Sequence, residues 1–425
     1  MRTNMILLPL LLSCAQVRHT GERFSLTPEQ RSAIVIVLDD VGYDDLASVA
    51  TPNLDALAAR GVTFSNAYAN PTCSVTRRSL LFGHWQLQDS GPPCAPATPH
   101  SPTLDDWCLP RLVPQASILA GKYHLGGDPL GGTDLTAPLT HGFLHWIAGS
   151  QANLNDCGGS NYWNWKRVED GVVSTSHAYE PDALSARVRF WWSALGGSKL
   201  FVVAPALAHG PMHAPPANLL PPGYVVGPSQ RQKYEAMIVA LDTIIGEILA
   251  EVDEETLVIV IGDNGTPINV SPDPDRSKTT TFERGIHVPL IIAGGTVASP
   301  GRASSELVHA VDVYETVLNW CGGSHPANPA FPLVGASLLP TLEETTPHAY
   351  HEYVLCGNAW NNPDGDRCAR SLGWKLRQLD DDGDEAVDRE ELYDMVNDPF
   401  ELLNVLAVYP AQAQAMRNWI EQESP

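Results

Sequence analysis

The sequence predicts an α/β fold: a mostly parallel central sheet flanked by helices, then a smaller C-terminal α+β subdomain around an antiparallel sheet. Three observations predict it. The continuous β-branched runs Ala33–Leu38, Lys199–Ala204 and Leu257–Gly262 read as strands covered on both faces, the mark of parallel sheets. Helical periodicity precedes the third of them, with apolar residues at Met237, Leu241, Ile244, Ile245, Ile248 and Val252. Oxygen-bearing side chains follow the strands directly, at the carboxyl ends where open α/β sheets place ligands.

The chain has 425 residues, enough for about two or three domain-sized units. Lys plus Arg total 26 and Asp plus Glu 49, a formal net charge of −23. Without a basic face to meet a phosphate backbone, no nucleic-acid partner is expected. Met1–Asn4 carries one positive charge and leads into the apolar run Ile6–Cys14, too short to span a bilayer and readable as an export signal. Leu11-Leu12-Ser13-Cys14 resembles a bacterial lipoprotein box, which implies a lipid anchor on Cys14 and a place in the periplasm or at the cell surface. A plain secretory signal is the alternative. The organisation expected is a lipoprotein-type signal at 1–14, a linker at 15–32, a catalytic domain at 33–340 and a C-terminal subdomain at 341–425. Setting aside Cys14 and Cys73, six cysteines remain, an even number that fits disulfides in an exported protein. Cys94–Cys108 and Cys356–Cys368 are nearest in sequence, but connectivity stays open.

The elements follow in order. The first strand, Ala33–Leu38, ends in Asp39-Asp40-Val41-Gly42-Tyr43. One aspartate there suits a turn or helix cap; two suit it less well and suit a ligand site better. Thr51–Gly61 reads as a capped helix and Val62–Tyr68 as a second strand. This delivers Cys73-Ser74-Val75-Thr76-Arg77, the start of an apolar helical run that closes on Gly83. A helix beginning near Cys73 places Arg77 one turn on and on the same face, with the cysteine where free N–H groups favour an anion. Ser117–Ala120 is read as a strand leading to Lys122 and His124, two apart and so facing one way if extended. After His141-Gly142-Phe143, residues 144 to about 173 are read as an irregular, Gly/Asn/Trp-rich region. The prolines after Ala204 fix a loop holding His209 and His213. The strand Leu257–Gly262 ends in Asp263-Asn264-Gly265, and Lys278 precedes the strand Leu290–Ala293. Ala310–Leu318 is helical in pattern. Trp374–Leu379 and Glu391–Met395 read as paired strands. Asp380–Asp384 between them is an acidic turn, because a calcium loop centred on Gly383 would put Gln378 and Arg389 where acids are needed.

Asp39, Asp40, Asp263 and Asn264 form an all-oxygen ligand set suited to a hard cation. Arg77, Lys122 and Lys278 suit an anionic sulfate or phosphate group. In this order the motifs closely resemble the sulfatase family, within the alkaline-phosphatase-like superfamily. The resemblance runs from about Ala33 to Leu406. Cys73–Gly83 resembles the signature C-x-P-S-R-x-x-L-L-T-G. Gly121–Gly126 resembles G-K-W-H-L-G, His209–Pro215 resembles A-P-H-x-P, and Asp263–Gly265 keeps D-N-G. Lys278–Pro289 matches K-x-x-x-x-E-x-G-I-R-V-P with His287 for Arg, and Glu391–Asn404 resembles the family's ending.

The resemblance implies a Ca²⁺ ion held by Asp39, Asp40, Cys73, Asp263 and Asn264, and a formylglycine made from Cys73 by a formylglycine-generating enzyme. It implies that the hydrated formylglycine attacks sulfur, with Asp263 helping to deprotonate it and Arg77 holding it. Lys122 and Lys278 would neutralise the sulfate oxygens, His209 would protonate the departing alcohol, and His124 would take the proton that lets sulfate leave. Val75 stands where the family has proline, in the pentapeptide that the converting enzyme reads, and Thr76 where it has serine. The function implied is hydrolysis of sulfate esters, of sulfated glycans or aryl sulfates. A phosphate or phosphonate ester hydrolase on the same fold is one alternative, and a non-catalytic sulfatase-like binding protein with an unmodified Cys73 is another. Specificity is expected from Leu87–Thr103, Ser150–Trp165 and Pro211–Pro228, with Trp163 and Trp165 placed to stack on a ring.

Overall fold

The computed structural model describes residues 26–85, 107–125, 134–155, 158–295, 297–325, 334–358, 365–381 and 387–423. The export segment with Cys14, the Leu87–Thr103 loop, Cys94, Gly126, Cys157 and residues 382–386 of the acidic turn lie outside them. Among the described residues no helix is long and apolar enough to cross a membrane.

The main sheet contains β1 (Ala33–Leu38), β2 (Gly61–Tyr68), β3 (Ala116–Lys122), β4 (His145–Ser150), β5 (Trp165–Glu169), β6 (Val172–Ser176), β7 (Lys199–Ala204), β8 (Leu257–Gly262), β9 (Leu290–Ala293) and β10 (Arg302–His309). Its order is β10-β2-β9-β8-β1-β7-β3-β4-β5-β6. β9 runs antiparallel to β2 and β8, and β5 antiparallel to β4 and β6; the other neighbours are parallel.

β1 shows why the sheet is covered on both sides. Val35 and Val37 pack in one layer with Leu80, Leu81, Val313 and Val317. Ile34 and Ile36 pack in the other with Met237, Leu241, Ile244, Leu184 and Val188. The helices Cys73–Phe82 and Ala310–Trp320 therefore cover one face, and Glu180–Ala194 and Gln230–Leu249 the other. Alternate residues of one apolar strand serve two cores, as a buried parallel strand must.

A second sheet is antiparallel, in the order β11 (Val354–Gly357), β12 (Gly365–Arg370), β13 (Trp374–Asp380), β14 (Arg389–Asp394). β13 and β14 pair through Leu376 and Leu392, as the sequence pattern predicts. The helix Pro410–Glu423 buries Ala413, Met416 and Ile420 against this sheet.

Two expectations are corrected. The stretch 144–173 is not irregular throughout, since it holds β4, β5 and the start of β6; their short, mixed-polarity sequences sit toward the sheet edge and lack the apolar run of a central strand. Cys356 and Cys368 face each other across β11 and β12, but both carry free, buried thiols, as does Cys321.

Candidate active site

The parallel pairing of β1 with β8 runs to Leu38 opposite Gly262, so Asp39 and Asp263 leave the sheet side by side. The Asp263 N–H donates to the Leu38 carbonyl at 3.0 Å. In extended backbone Asp40 would point away from Asp39. Instead it takes a left-handed turn, φ 64°, rare for a residue with a Cβ and usual at functional sites. Its N–H donates to Asp263 Oδ1 at 3.1 Å, and its carbonyl accepts from the Tyr234 hydroxyl at 2.8 Å. Both aspartates thus enter one cluster.

The helix Cys73–Phe82 begins at the cysteine, and Arg77 follows one turn on. Arg77 donates through Nε and Nη2 to Asp263 Oδ2 at 3.1 and 2.8 Å, and through Nη1 to the Lys122 carbonyl at 2.7 Å. Thr76 keeps the hydroxyl of the usual serine and accepts from the Asn70 N–H at 2.9 Å. Val75 is buried in the first helical turn, where an N–H has no partner within the helix. Exchanging proline for valine there costs the fold little.

Lys122 closes β3. Its Nζ reaches Asp39 Oδ2 at 2.7 Å, Asn153 Oδ1 at 2.8 Å and the Cys73 sulfur at 3.6 Å. His124 lies beyond the strand in a left-handed turn, φ 62°, with Nδ1 3.2 Å from the Cys73 sulfur. The pair meets Cys73 through that turn and not through strand alternation. On the other side Lys278 is bonded to Asp40 Oδ1, and His209 Nε2 lies 3.7 Å from Asp40 Oδ2. His213, its neighbour in sequence, instead accepts from the Tyr179 hydroxyl at 2.9 Å or donates to it. His287 stacks on Tyr43 with ring centroids 4.2 Å apart, and its other contacts are Tyr68, Ser65 and Glu283. Trp165 is buried and Trp163 exposed.

Three buried carboxylates, Asp39, Asp40 and Asp263, thus meet two buried cations, Arg77 and Lys122, and the partly exposed Lys278. Burial opposes ionisation of Asp39, but Lys122, His209 and Arg77 hold it well below the usual carboxylate range. Asp40 is held low by Lys278 against the same burial. Asp263 is pushed up to about 6 by burial and by the charge of Asp39, with Arg77 and Lys122 pulling the other way. Burial, with Lys122 and Arg77 alongside, drives His124 well below its ordinary value. His209 is lowered by burial, with Asp40 pulling the other way. Burial raises the Cys73 thiol, against the pull of Lys122 and Lys278.

The donor chemistry fits a cation. Oxygens of Asp39 and Asp263 and the Cys73 sulfur lie within 4.8 Å of one another, as do ligand atoms of Asp39, Asp40 and His209. Asn264 donates through Nδ2 to Asp40 and to the Gly265 carbonyl, while its buried Oδ1 has no protein partner. An orphaned buried acceptor beside three carboxylates suits a hard, oxygen-seeking ion. Asp39, Asp40, Cys73, Arg77, Lys122, His124, His209, Asp263, Asn264 and Lys278 converge here, whereas His213 and His287 do not. Asn153, Tyr234 and Tyr162 were not foreseen; Tyr162 donates its hydroxyl toward the Ala206 and His209 carbonyls, both at 2.6 Å. Their sequences carry no motif, and only the fold brings them to the strand ends.

Fold and site together define a hydrolase of the alkaline-phosphatase-like architecture. A model of the sulfatase family matches residues 31–323. The chain belongs to the sulfatase family, and so to the sulfuric ester hydrolases. Human N-acetylgalactosamine-6-sulfatase is 28% identical over 373 residues, covering 76% of this chain and 67% of its own. A solved structure of i-CgsB in complex with k-i-k-neocarrahexaose superposes with a TM-score of 0.76 at 22% identity, covering 93% of each chain. The phosphonate monoester hydrolase of Agrobacterium radiobacter superposes with a TM-score of 0.68 at 18% identity, over 92% of this chain and 95% of its own.

Proposed function

We propose that this chain is an exported, Ca²⁺-dependent sulfatase that hydrolyses sulfate esters through a formylglycine made from Cys73. The observation that carries the reading is the position of the Cys73 sulfur. It sits among Asp39 and Asp263 oxygens, with His124 Nδ1 at 3.2 Å and Lys122 Nζ at 3.6 Å. That sulfur marks where an oxygen nucleophile would stand. As its hydrate, formylglycine supplies that oxygen and a second hydroxyl for resetting the group; a bound Ca²⁺ supplies positive charge against the sulfate oxygens.

The remaining work falls to this chain's own residues. Arg77 ties Asp263 to the Lys122 carbonyl and so fixes two strand ends relative to Cys73. Lys122 and Lys278 set positive charge on either side of the ester and take up the charge that develops on its oxygens. His124, held neutral, is able to accept a proton at position 73. His209 faces Asp40 from the opposite side, where the departing alcohol would need a proton. The export signal and lipid anchor on Cys14, and conversion by a formylglycine-generating enzyme despite Val75, complete the proposal.

A phosphate or phosphonate ester hydrolase is the second reading, favoured by the Agrobacterium structure. Rates on a sulfate ester and on the matching phosphate ester test the choice. Faster cleavage of the sulfate ester, lost on chelation and restored by Ca²⁺, is expected. Faster cleavage of the phosphate ester overturns the sulfatase reading.

A further inference from the structure

The direction of the His209 ring is set by backbone. Its Nδ1 lies 2.9 Å from the Gly210 carbonyl. A carbonyl only accepts, so Nδ1 carries a hydrogen in either charge state, and the proton the ring can give up is the one on Nε2. Nε2 is the nitrogen that faces Asp40, at 3.7 Å. The ring therefore points where residues 206–210 point it. That segment is a turn, closed by the His209 N–H donating to the Ala206 carbonyl at 2.9 Å. On one side it is tied to the end of β1, where the Ala208 N–H donates to the Asp39 carbonyl at 2.9 Å.

Tyr162, between β4 and β5, holds the other side. Its hydroxyl lies 2.6 Å from both the Ala206 and the His209 carbonyls, at the short end of O–H···O bonds. One proton serves two acceptors three residues apart, so the hydroxyl fixes the two ends of the turn relative to each other. Tyr162 is itself anchored. It is fully buried, with its ring centroid 4.3 Å from that of His213 and 5.8 Å from that of Tyr179. Its own carbonyl accepts from the Glu180 N–H at 3.0 Å. The hydroxyl thus meets backbone alone, and the backbone it meets is the part that aims His209.

We infer that Tyr162 is a positioning residue, whose hydroxyl holds the Ala206–His209 turn so that His209 Nε2 meets the oxygen of the departing alcohol. As the bond from sulfur to that oxygen breaks, its electron pair stays on the oxygen and the Nε2 proton joins it. This deepens the sulfatase reading and rests on it. A small misdirection of a proton donor costs rate in proportion to how much the leaving group needs the proton.

The test uses two esters of similar shape and unequal need, 4-nitrophenyl sulfate, whose phenolate leaves readily unprotonated, and phenyl sulfate, whose phenolate is the stronger base. Tyr162→Phe is expected to lower the ratio of phenyl to nitrophenyl kcat/KM by about tenfold, and His209→Ala by about a hundredfold. With His209→Ala already present, Tyr162→Phe should leave that ratio unchanged, because it acts through His209. Tyr314→Phe removes an equally buried hydroxyl that donates to the Trp107 carbonyl at 2.8 Å, and should not move the ratio. Equal losses on both esters in Tyr162→Phe would assign it a purely structural role and overturn the inference. So would a further fall in the ratio in the double variant, or an equal fall in Tyr314→Phe. A readout independent of catalysis is the His209 Nδ1–H signal in proton NMR, expected to shift or broaden in Tyr162→Phe and not in Tyr314→Phe; an unchanged signal overturns the inference. Absence of cleavage of both esters, with that signal still moved, would overturn the sulfatase reading and leave the hold of Tyr162 on His209 standing.

Discussion

At the scale of single residues, the site is a problem of charge placement. Asp263 shows it best, buried beside Asp39 and pinned by Arg77. Replacing Arg77 with Met leaves that carboxylate buried and unpaired, a change that typically costs about 3–5 kcal/mol. The expected outcome is a lower denaturant midpoint, measured by urea unfolding with and without Ca²⁺; a midpoint equal to wild type would show that Arg77 is dispensable. Asn264 makes a subtler case. Its Nδ2 is satisfied within the protein and its Oδ1 is not, so Asn264→Leu should weaken Ca²⁺ binding by about tenfold or more, the loss of one oxygen ligand in a rigid cage. Calorimetric titration of the chelator-treated protein reads this directly, and an unchanged affinity would place the ion elsewhere.

At the scale of elements, short segments are held in place by features that only the fold reveals. Gly83 ends the helix Cys73–Phe82 with φ 72°, and a Cβ there would come within 2.5 Å of the Tyr314 ring. Gly83→Ala should therefore lower stability by about 1–3 kcal/mol through backbone strain, before any cost of moving the ring. A thermal midpoint within a degree of wild type would contradict that. Glu180 opens the helix Glu180–Ala194 and is fully buried, with Oε1 unpartnered and Oε2 accepting weakly from the Ala206 N–H at 3.4 Å. Burial pushes its carboxyl up to about 8 from an ordinary value of 4.5. The folded protein thus keeps a proton that the unfolded chain has released, and this stabilisation is lost as pH rises from about 4.5 through about 8. Glu180→Gln should flatten the decline in thermal midpoint across that window. An identical pH profile would assign the decline to other groups.

These elements also show what was legible beforehand. The central strands were, because burial on both faces writes itself as an uninterrupted β-branched run. The cluster at their carboxyl ends was legible too, since Asp39, Asp40, Asp263 and Asn264 follow those runs directly. β5, β10 and the helix Glu180–Ala194 were not: their exposed faces carry charged and small residues that mask the period. Lys122 and His124 were paired correctly on Cys73 for an incomplete reason, because the left-handed turn at His124 has no signature in the sequence.

At the scale of the molecule, a net charge of −23 surrounds a centre whose own charges balance before any ion is added. A divalent cation would make that centre positive, so binding of an anionic ester depends on the site against an opposing field. Raising ionic strength from about 10 mM to physiological levels shortens the reach of that field from about 30 Å to about 8 Å. The expected result is a rise in kcat/KM for an anionic sulfate ester over this interval; a steep fall would mean that long-range attraction, not repulsion, governs approach.

All of these effects converge on position 73. Val75 leaves the helix intact but alters the segment that, on the proposed reading, a converting enzyme would read before folding. The direct measurement is the intact mass of the peptide spanning Cys73, taken from protein secreted by a host that carries the converting enzyme and alkylated after unfolding. An aldehyde at position 73, in proportion to sulfatase activity, is the predicted result. Full activity in protein whose Cys73 is entirely an alkylatable thiol would contradict it.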